Sequence, residues 1–123
     1  MSASQHGQNV EIIDEQLEDC TVLHVGGELD FRGTPVLYAH VERVWGDGAA
    51  LRLVIDLAGI RFCDSAGLGA LVHIFNKAKN AGGRLVLVAI PDHLRRRMRI
   101  SGLESHFEFH DTIEEAVVAV RAA

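Results

Sequence analysis

Apolar residues along the chain gather into two kinds of stretch, short β-rich runs and longer runs with a helical period, and the two kinds alternate. Val10 to Leu17 and Cys20 to Glu28 are β-rich, and the acidic pair Glu18-Asp19 between them predicts a hairpin. Gly26 to Gly33 reads as a loop. Thr34-Pro35 reads as an N-cap followed by proline at the first helical position, Leu37, Val41, Val44 and Trp45 mark the buried stripe of a first helix, and Gly46 stops it.

Leu51 to Leu57 is apolar on both alternations apart from Arg52 and Asp56, the pattern of a central strand covered on both faces and ending at Asp56. Leu68, Leu71, Val72 and Phe75 recur at the spacing of one helical face, Gly82-Gly83 closes that helix, and Arg84 to Ile90 repeats the buried-strand pattern. Together they make a βαβ unit with parallel strands. With the strand ending near Leu29 also parallel, the loops at Asp30, Ser65 and Asp92 leave the sheet at one end, where open α/β sheets place their sites.

Pro91 to Ser101 predicts a third helix with Leu94 and Met98 on one face and Arg95, Arg96, Arg97 and Arg99 around the rest. Those cations either meet an acidic partner or favour the helix's negative end and keep a solvated face. His106 to Phe109 predicts a short edge strand. Asp111-Thr112-Ile113-Glu114 resembles a capping box with Asp111 as the cap, and Ile113, Val117 and Val120 supply the inner face of a last helix. The expected fold class is α/β: a single domain over residues 10–121, with a mixed, mostly parallel sheet packed with about four α-helices. Residues 1–9 are small and polar and predict a flexible tail.

Composition narrows the function. A chain of 123 residues with 48% hydrophobic content suits one ordinary globular domain, and a formal net charge of -5 gives no general electrostatic reason to bind nucleic acid. Cys20 and Cys63, far apart and without a CxxC, offer neither a disulfide framework nor a zinc set, and they point to a reducing compartment. No signal-like start and no apolar run of the roughly 20 residues that span a bilayer occurs, so a cytoplasmic protein without a membrane partner is expected. The histidines lack HExxH or comparable metal spacing, Ser65 lacks a GxSxG elbow, and neither a GxxxxGK[ST] loop nor kinase HRD and DFG motifs are present. The expectation is a protein that is not an enzyme and takes no metal or cofactor.

The stretch Ile60 to Leu71, IRFCDSAGLGAL, holds the most informative chemistry. Asp64 or Ser65 can cap the helix that follows, and the unpaired amides at that helix mouth favour an anion, so a phosphate on Ser65 is tolerated there. A cap does not account for Gly67 and Gly69, since each glycine within a helix costs about 0.5–1 kcal/mol relative to alanine. Either something approaches that backbone closely, or the glycines let the helix pack on the sheet. Cys63 continues the apolar Ile60-Phe62 run and reads as a small buried hydrophobe.

IRFCDSAGLGAL resembles the central signature of the STAS domain, most closely that of bacterial anti-sigma factor antagonists. Gly27-Glu28-Leu29-Asp30, Val54-Ile55-Asp56-Leu57, Gly82-Gly83 and Ser101-Gly102-Leu103 extend the resemblance in the same order over about Val10 to Val120. Ala66 departs from it, standing where many relatives carry a second small hydroxyl residue. The resemblance implies that Ser65 is phosphorylated by a partner kinase. The shared end of the sheet makes a candidate partner-binding surface of Asp30, Asp64, Ser65 and the first turn of the following helix, Ala66, Gly67, Leu68 and Gly69, with turn geometry as the alternative role for Asp30. The implied partners are an anti-sigma factor with serine kinase activity, which the unphosphorylated chain binds so that a sigma factor is released, and a phosphatase that resets the switch. The alternative is a STAS interaction subunit of a stress-signalling or lipid-transport complex. A nucleotide-binding regulator is a third class, weakened by the missing phosphate loop.

Overall fold

The structure, a computed structural model, describes residues 9–46 and 50–122. The tail expected over residues 1–9 lies outside them apart from Asn9. Strands β1 (Val10–Gln16), β2 (Thr21–Leu29), β3 (Arg52–Cys63), β4 (Arg84–Val88) and β5 (Phe109–His110) form one sheet in sequence order. β1 is antiparallel to β2, and the later neighbours are parallel. Helices α1 (Thr34–Trp45), α2 (Ser65–Asn80) and α3 (Asp92–Ile100) connect the parallel strands, and α4 (Ile113–Arg121) follows β5.

Parallel crossovers are right-handed almost without exception, so three successive steps in one direction across the sheet put their helices on the same face. Burial agrees. Leu37 and Val41 of α1, Leu71 and Ile74 of α2, and Leu94 and Met98 of α3 share one core with Leu23, Leu53, Ile55, Leu85 and Leu87. On the opposite face Ala116, Val117 and Val120 of α4 close a smaller core over Val22, Val54, Val86 and Val88. This is why β3 and β4 read as apolar on both alternations. Each fully buried Leu or Ile contributes about 1.5–3 kcal/mol.

Local signals set the ends of the elements. Gly82, at φ 79°, ends α2 in a left-handed turn: its amide donates to Lys79 O at 3.1 Å, and the Gly83 amide donates to Ala78 O at 2.8 Å. Arg84 N then reaches Leu51 O at 2.7 Å and starts β4 in register with β3. Gly46, at φ 72°, ends α1 as expected.

Several boundaries differ from the sequence expectation. Gly26 to Leu29 belong to β2, so the loop begins at Asp30. Thr34 is the first helical residue of α1 and makes no capping bond, the N-cap being Gly33. Asp56 does not end its strand: β3 continues to Cys63, held by β2 alone beyond Asp56. β4 stops at Val88, where Ala89 takes φ 57°. Glu104–His106 is a 3-10 turn, and the edge strand starts only at Phe109. Thr112, not Asp111, caps α4, its hydroxyl accepting from Glu115 N at 3.1 Å.

α4 is short: it covers Val22 and Val54 and leaves this face open further along β1, β2 and β3. There the exposed Ile13 lies beside a cross-strand cluster in which His24 Nδ1 meets Asp56 Oδ2 at 2.8 Å and His24 Nε2 meets Glu15 Oε1 at 3.2 Å. Burial alone would lower the His24 pKa, but its bonds to Asp56 and Glu15 outweigh burial and hold it above the ordinary 6.5. A group whose pKa is raised by folding adds stability below its unfolded value and loses that contribution as pH rises through the folded value. Wild type is therefore expected to exceed His24→Gln in stability at about pH 5.5, with the gap narrowing by about pH 8.5. Urea unfolding of both proteins at the two pH values checks this; a gap that widens with pH contradicts it.

Candidate functional site

The loops after β2, β3 and β4 share one end of the sheet, which brings Asp30, Asp64-Ser65 and Asp92 to the same side. Asp30 organises its own loop. Its Oδ1 accepts from Arg32 N at 3.0 Å and Gly33 N at 2.9 Å, and its carbonyl accepts from Gly33 N and Thr34 N.

Asp64 is the N-cap of α2, resolving the choice between Asp64 and Ser65. Its Oδ1 accepts from Gly67 N at 2.9 Å, and its Oδ2 accepts from Phe31 N at 3.3 Å. Its own amide donates to Leu29 O at 3.3 Å. One carboxylate thus ties the β2–α1 loop to the mouth of α2. Ser65 is relieved of capping: it is exposed, and its hydroxyl has no hydrogen-bond partner among the described residues.

The predicted contact residues divide by depth. Ser65 and Gly69 are exposed and Ala66 is half-buried, whereas Gly67 and Leu68 are buried. The two glycines answer different needs. A Cβ on Gly67 would stand 2.2 Å from Leu29 O and 2.7 Å from Cys63 Sγ, so this glycine lets the helix pack on the sheet. A Cβ on Gly69 would meet nothing within 4 Å, so Gly69 leaves helical backbone bare beside Ser65.

Two exposed aromatics that the sequence reading passed over lie toward this end of the sheet, Phe31 beside the helix mouth and Phe62 next to Cys63 in β3. Phe31, at the tip of the loop tied by Asp64, is 66% exposed, with Arg32 over its ring at 5.7 Å. Phe62 is 45% exposed because the β2–β3 register shifts between Gly27/Ile60 and Glu28/Phe62; the extra residue, Arg61, breaks the alternation and pairs with Glu28. The signal for Phe31 was an aromatic between two charged loop residues. Phe62 looked like a continuation of the buried run.

Cys63 is buried, and its thiol is pushed up to about 12 first by that burial and then by Asp64, with Arg97 opposing. It packs as a neutral hydrophobe. Among the described residues no group of three or more His, Cys, Asp or Glu is placed to hold a metal ion, and no helix is long and apolar enough to cross a membrane.

A parallel-stranded α/β domain with an exposed serine beside a capped helix mouth defines a class, and the sequence pattern of the STAS domain matches residues 11–116. The chain belongs to the STAS domain family, among its anti-sigma factor antagonists. It is 33% identical over 96 residues to the anti-sigma-B factor antagonist of Bacillus subtilis, covering 78% of this chain and 86% of that one. A crystal structure of an anti-sigma factor antagonist from Mycobacterium paratuberculosis superposes with a TM-score of 0.80 at 28% identity, over 98% of this chain and 99% of that one. The Bacillus cell fate determinant SpoIIAA, solved in its phosphorylated form, superposes with a TM-score of 0.65 at 25% identity, over 89% of this chain and 99% of that one.

The contrast between the glycines sets opposite expectations within one helix. Gly67→Ala should destabilise the fold by about 1–3 kcal/mol through overpacking, whereas Gly69→Ala should stabilise it by about 0.5–1 kcal/mol through helix propensity. Urea unfolding of the two variants checks the signs; equal effects contradict the assignment.

Proposed function

We propose that this chain is an anti-sigma factor antagonist controlled at Ser65. Unphosphorylated, the surface of Ser65, Ala66 and Gly69, with Asp30 and Asp64 behind it, docks on an anti-sigma factor that is also a serine kinase, and a sigma factor is released. The observation that carries this reading is the free, exposed Ser65 hydroxyl next to a cap already supplied by Asp64. A cap serine would be bonded to the helix it starts; this one is presented outward.

The chemistry of the switch follows from charge. A phosphate on Ser65 adds about -1.5 to -2 charge at neutral pH, next to a helix mouth that tolerates anions and beside the Asp64 carboxylate. The protein alone accommodates it because water solvates the phosphate. A partner closing over the same surface has to desolvate that charge beside Asp64, so docking weakens. Phe31 and Phe62 are exposed aromatics of the kind that anchor interfaces. Without kinase motifs of its own, the chain takes its phosphate from the partner, which brings ATP and magnesium, and a separate phosphatase removes it. Support comes also from the relatives, one named an antagonist of an anti-sigma factor and one solved as a phosphoprotein.

Phosphopeptide mapping of the chain from its own cells, with identification of co-purifying proteins, tests the reading directly. Phosphate on Ser65 together with an ATP-binding kinase is expected. In titrations with that kinase, Ser65→Ala should bind like wild type and accept no phosphate, Ser65→Asp should bind at least about tenfold more weakly, and Phe31→Ala should lose about 2 kcal/mol of binding. Wild-type affinity in Ser65→Asp would sink the charge switch.

A further inference from the structure

We propose that the outer face of α3 is a second docking surface, which receives an acidic segment of the same partner that docks on Ser65. The inference rests on the Ser65 reading and adds the chemistry of the partner.

α3 carries four arginines with different surroundings. Arg95 bonds Glu104 Oε2 at 3.1 Å and stacks over Phe109 at 4.0 Å, and Arg99 reaches Glu104 Oε1 at 3.5 Å. Glu104 therefore balances one side of the helix. His93, Arg96, Arg97 and Ile100 recur at i, i+3, i+4 and i+7 on another face, and with Ser101 they line a depression of about 450 Å³. Among the described residues neither Arg96 nor Arg97 has a carboxylate partner. Ile100 stands 77% exposed beside them. Ile100 adds an apolar contact to a face that is otherwise cationic. Cations around an apolar side chain suit a short segment that brings carboxylates and an apolar residue of its own.

Placement ties this face to Ser65. His93 Nε2 donates to Ile60 O at 3.2 Å, which fixes the start of α3 against the last residues of β3. Arg97, one turn further on, acts on Cys63, two residues before Ser65. A chain of formal charge -5 opposes an extended polyanion such as a nucleic acid or a lipid surface over most of its area. A short acidic segment seated in the depression meets His93, Arg96 and Arg97, with distant charges screened beyond about 8–10 Å.

The test uses the co-purifying kinase, expressed and purified, and reads Ser65 phosphorylation against concentration of the full chain. Arg96→Glu combined with Arg97→Glu is expected to raise KM about tenfold or more while kcat stays within about twofold. Wild-type KM should rise with added salt, and that dependence should flatten or reverse in the double Glu variant, where like charges face each other. Arg96→Gln with Arg97→Gln should fall between the two, and unchanged thermal unfolding shows that both variants are folded. If charge reversal leaves KM and its salt dependence unchanged while Phe31→Ala still raises KM, the α3 surface is wrong and the Ser65 reading stands. If neither substitution changes KM, the α3 surface is wrong, and the Ser65 reading then stands or falls on the affinity of Ser65→Asp for the kinase; if the kinase places no phosphate on Ser65 at all, both fall. Sedimentation with phosphatidylglycerol vesicles that is abolished by the charge reversal, with KM unmoved, assigns the face to a lipid surface and overturns the proposal.

Discussion

The Asp64 carboxylate is shared between two amides that lie far apart in sequence, Gly67 N in α2 and Phe31 N in the β2–α1 loop. The arrangement of the exposed end of the domain depends on this sharing. It caps α2, holds the aromatic tip of the neighbouring loop beside the helix, and leaves the next residue, Ser65, with its hydroxyl unengaged. Because Gly67 also packs with no room for a Cβ against Leu29 O, the helix mouth is seated on the sheet from below as well as tied from above. A serine in this setting is held by backbone and by its neighbours' side chains, and its own side chain is available for chemistry.

The sheet's order explains why the site is where it is. Strands added in sequence, each parallel to the last after β2, force α1, α2 and α3 onto one face and bring their N-terminal ends to the same rim. The second face is left to α4, whose nine residues cover the β3–β4 side but not β1. The open part is occupied by polar groups that satisfy one another across strands, Glu15, His24 and Asp56.

The central architecture was legible because β3 and β4 are apolar on both alternations, which only a strand covered on two sides requires, and because Gly82-Gly83 marks the end of the helix between them. The position of Ser65 was legible for a related reason: a buried run, an acid and a hydroxyl stand immediately before a helical stripe. What escaped depends on contacts between distant residues. The second half of β3 was hidden because Ala58-Gly59 interrupts its apolar run and Arg61 occupies a bulge set by pairing with β2. The cap of α4 slipped by one residue because Asp111 and Thr112 offer the same chemistry, each with a glutamate three positions on. Phe31 and Phe62 went unnoticed because their exposure is decided by a neighbouring loop and a register shift.

The length of β3 has a consequence for how molecules of this protein behave near one another. Past Asp56, β3 outruns β4, and a ribbon of two strands projects from the sheet with one backbone edge that no strand among the described residues pairs. Such an edge is a template on which a strand from another molecule can assemble. His93, reaching from α3 to the carbonyl of Ile60, occupies one of the acceptors on this ribbon. A side chain thus takes a strand's place at this point of the edge, which makes the edge a poorer template for a second molecule.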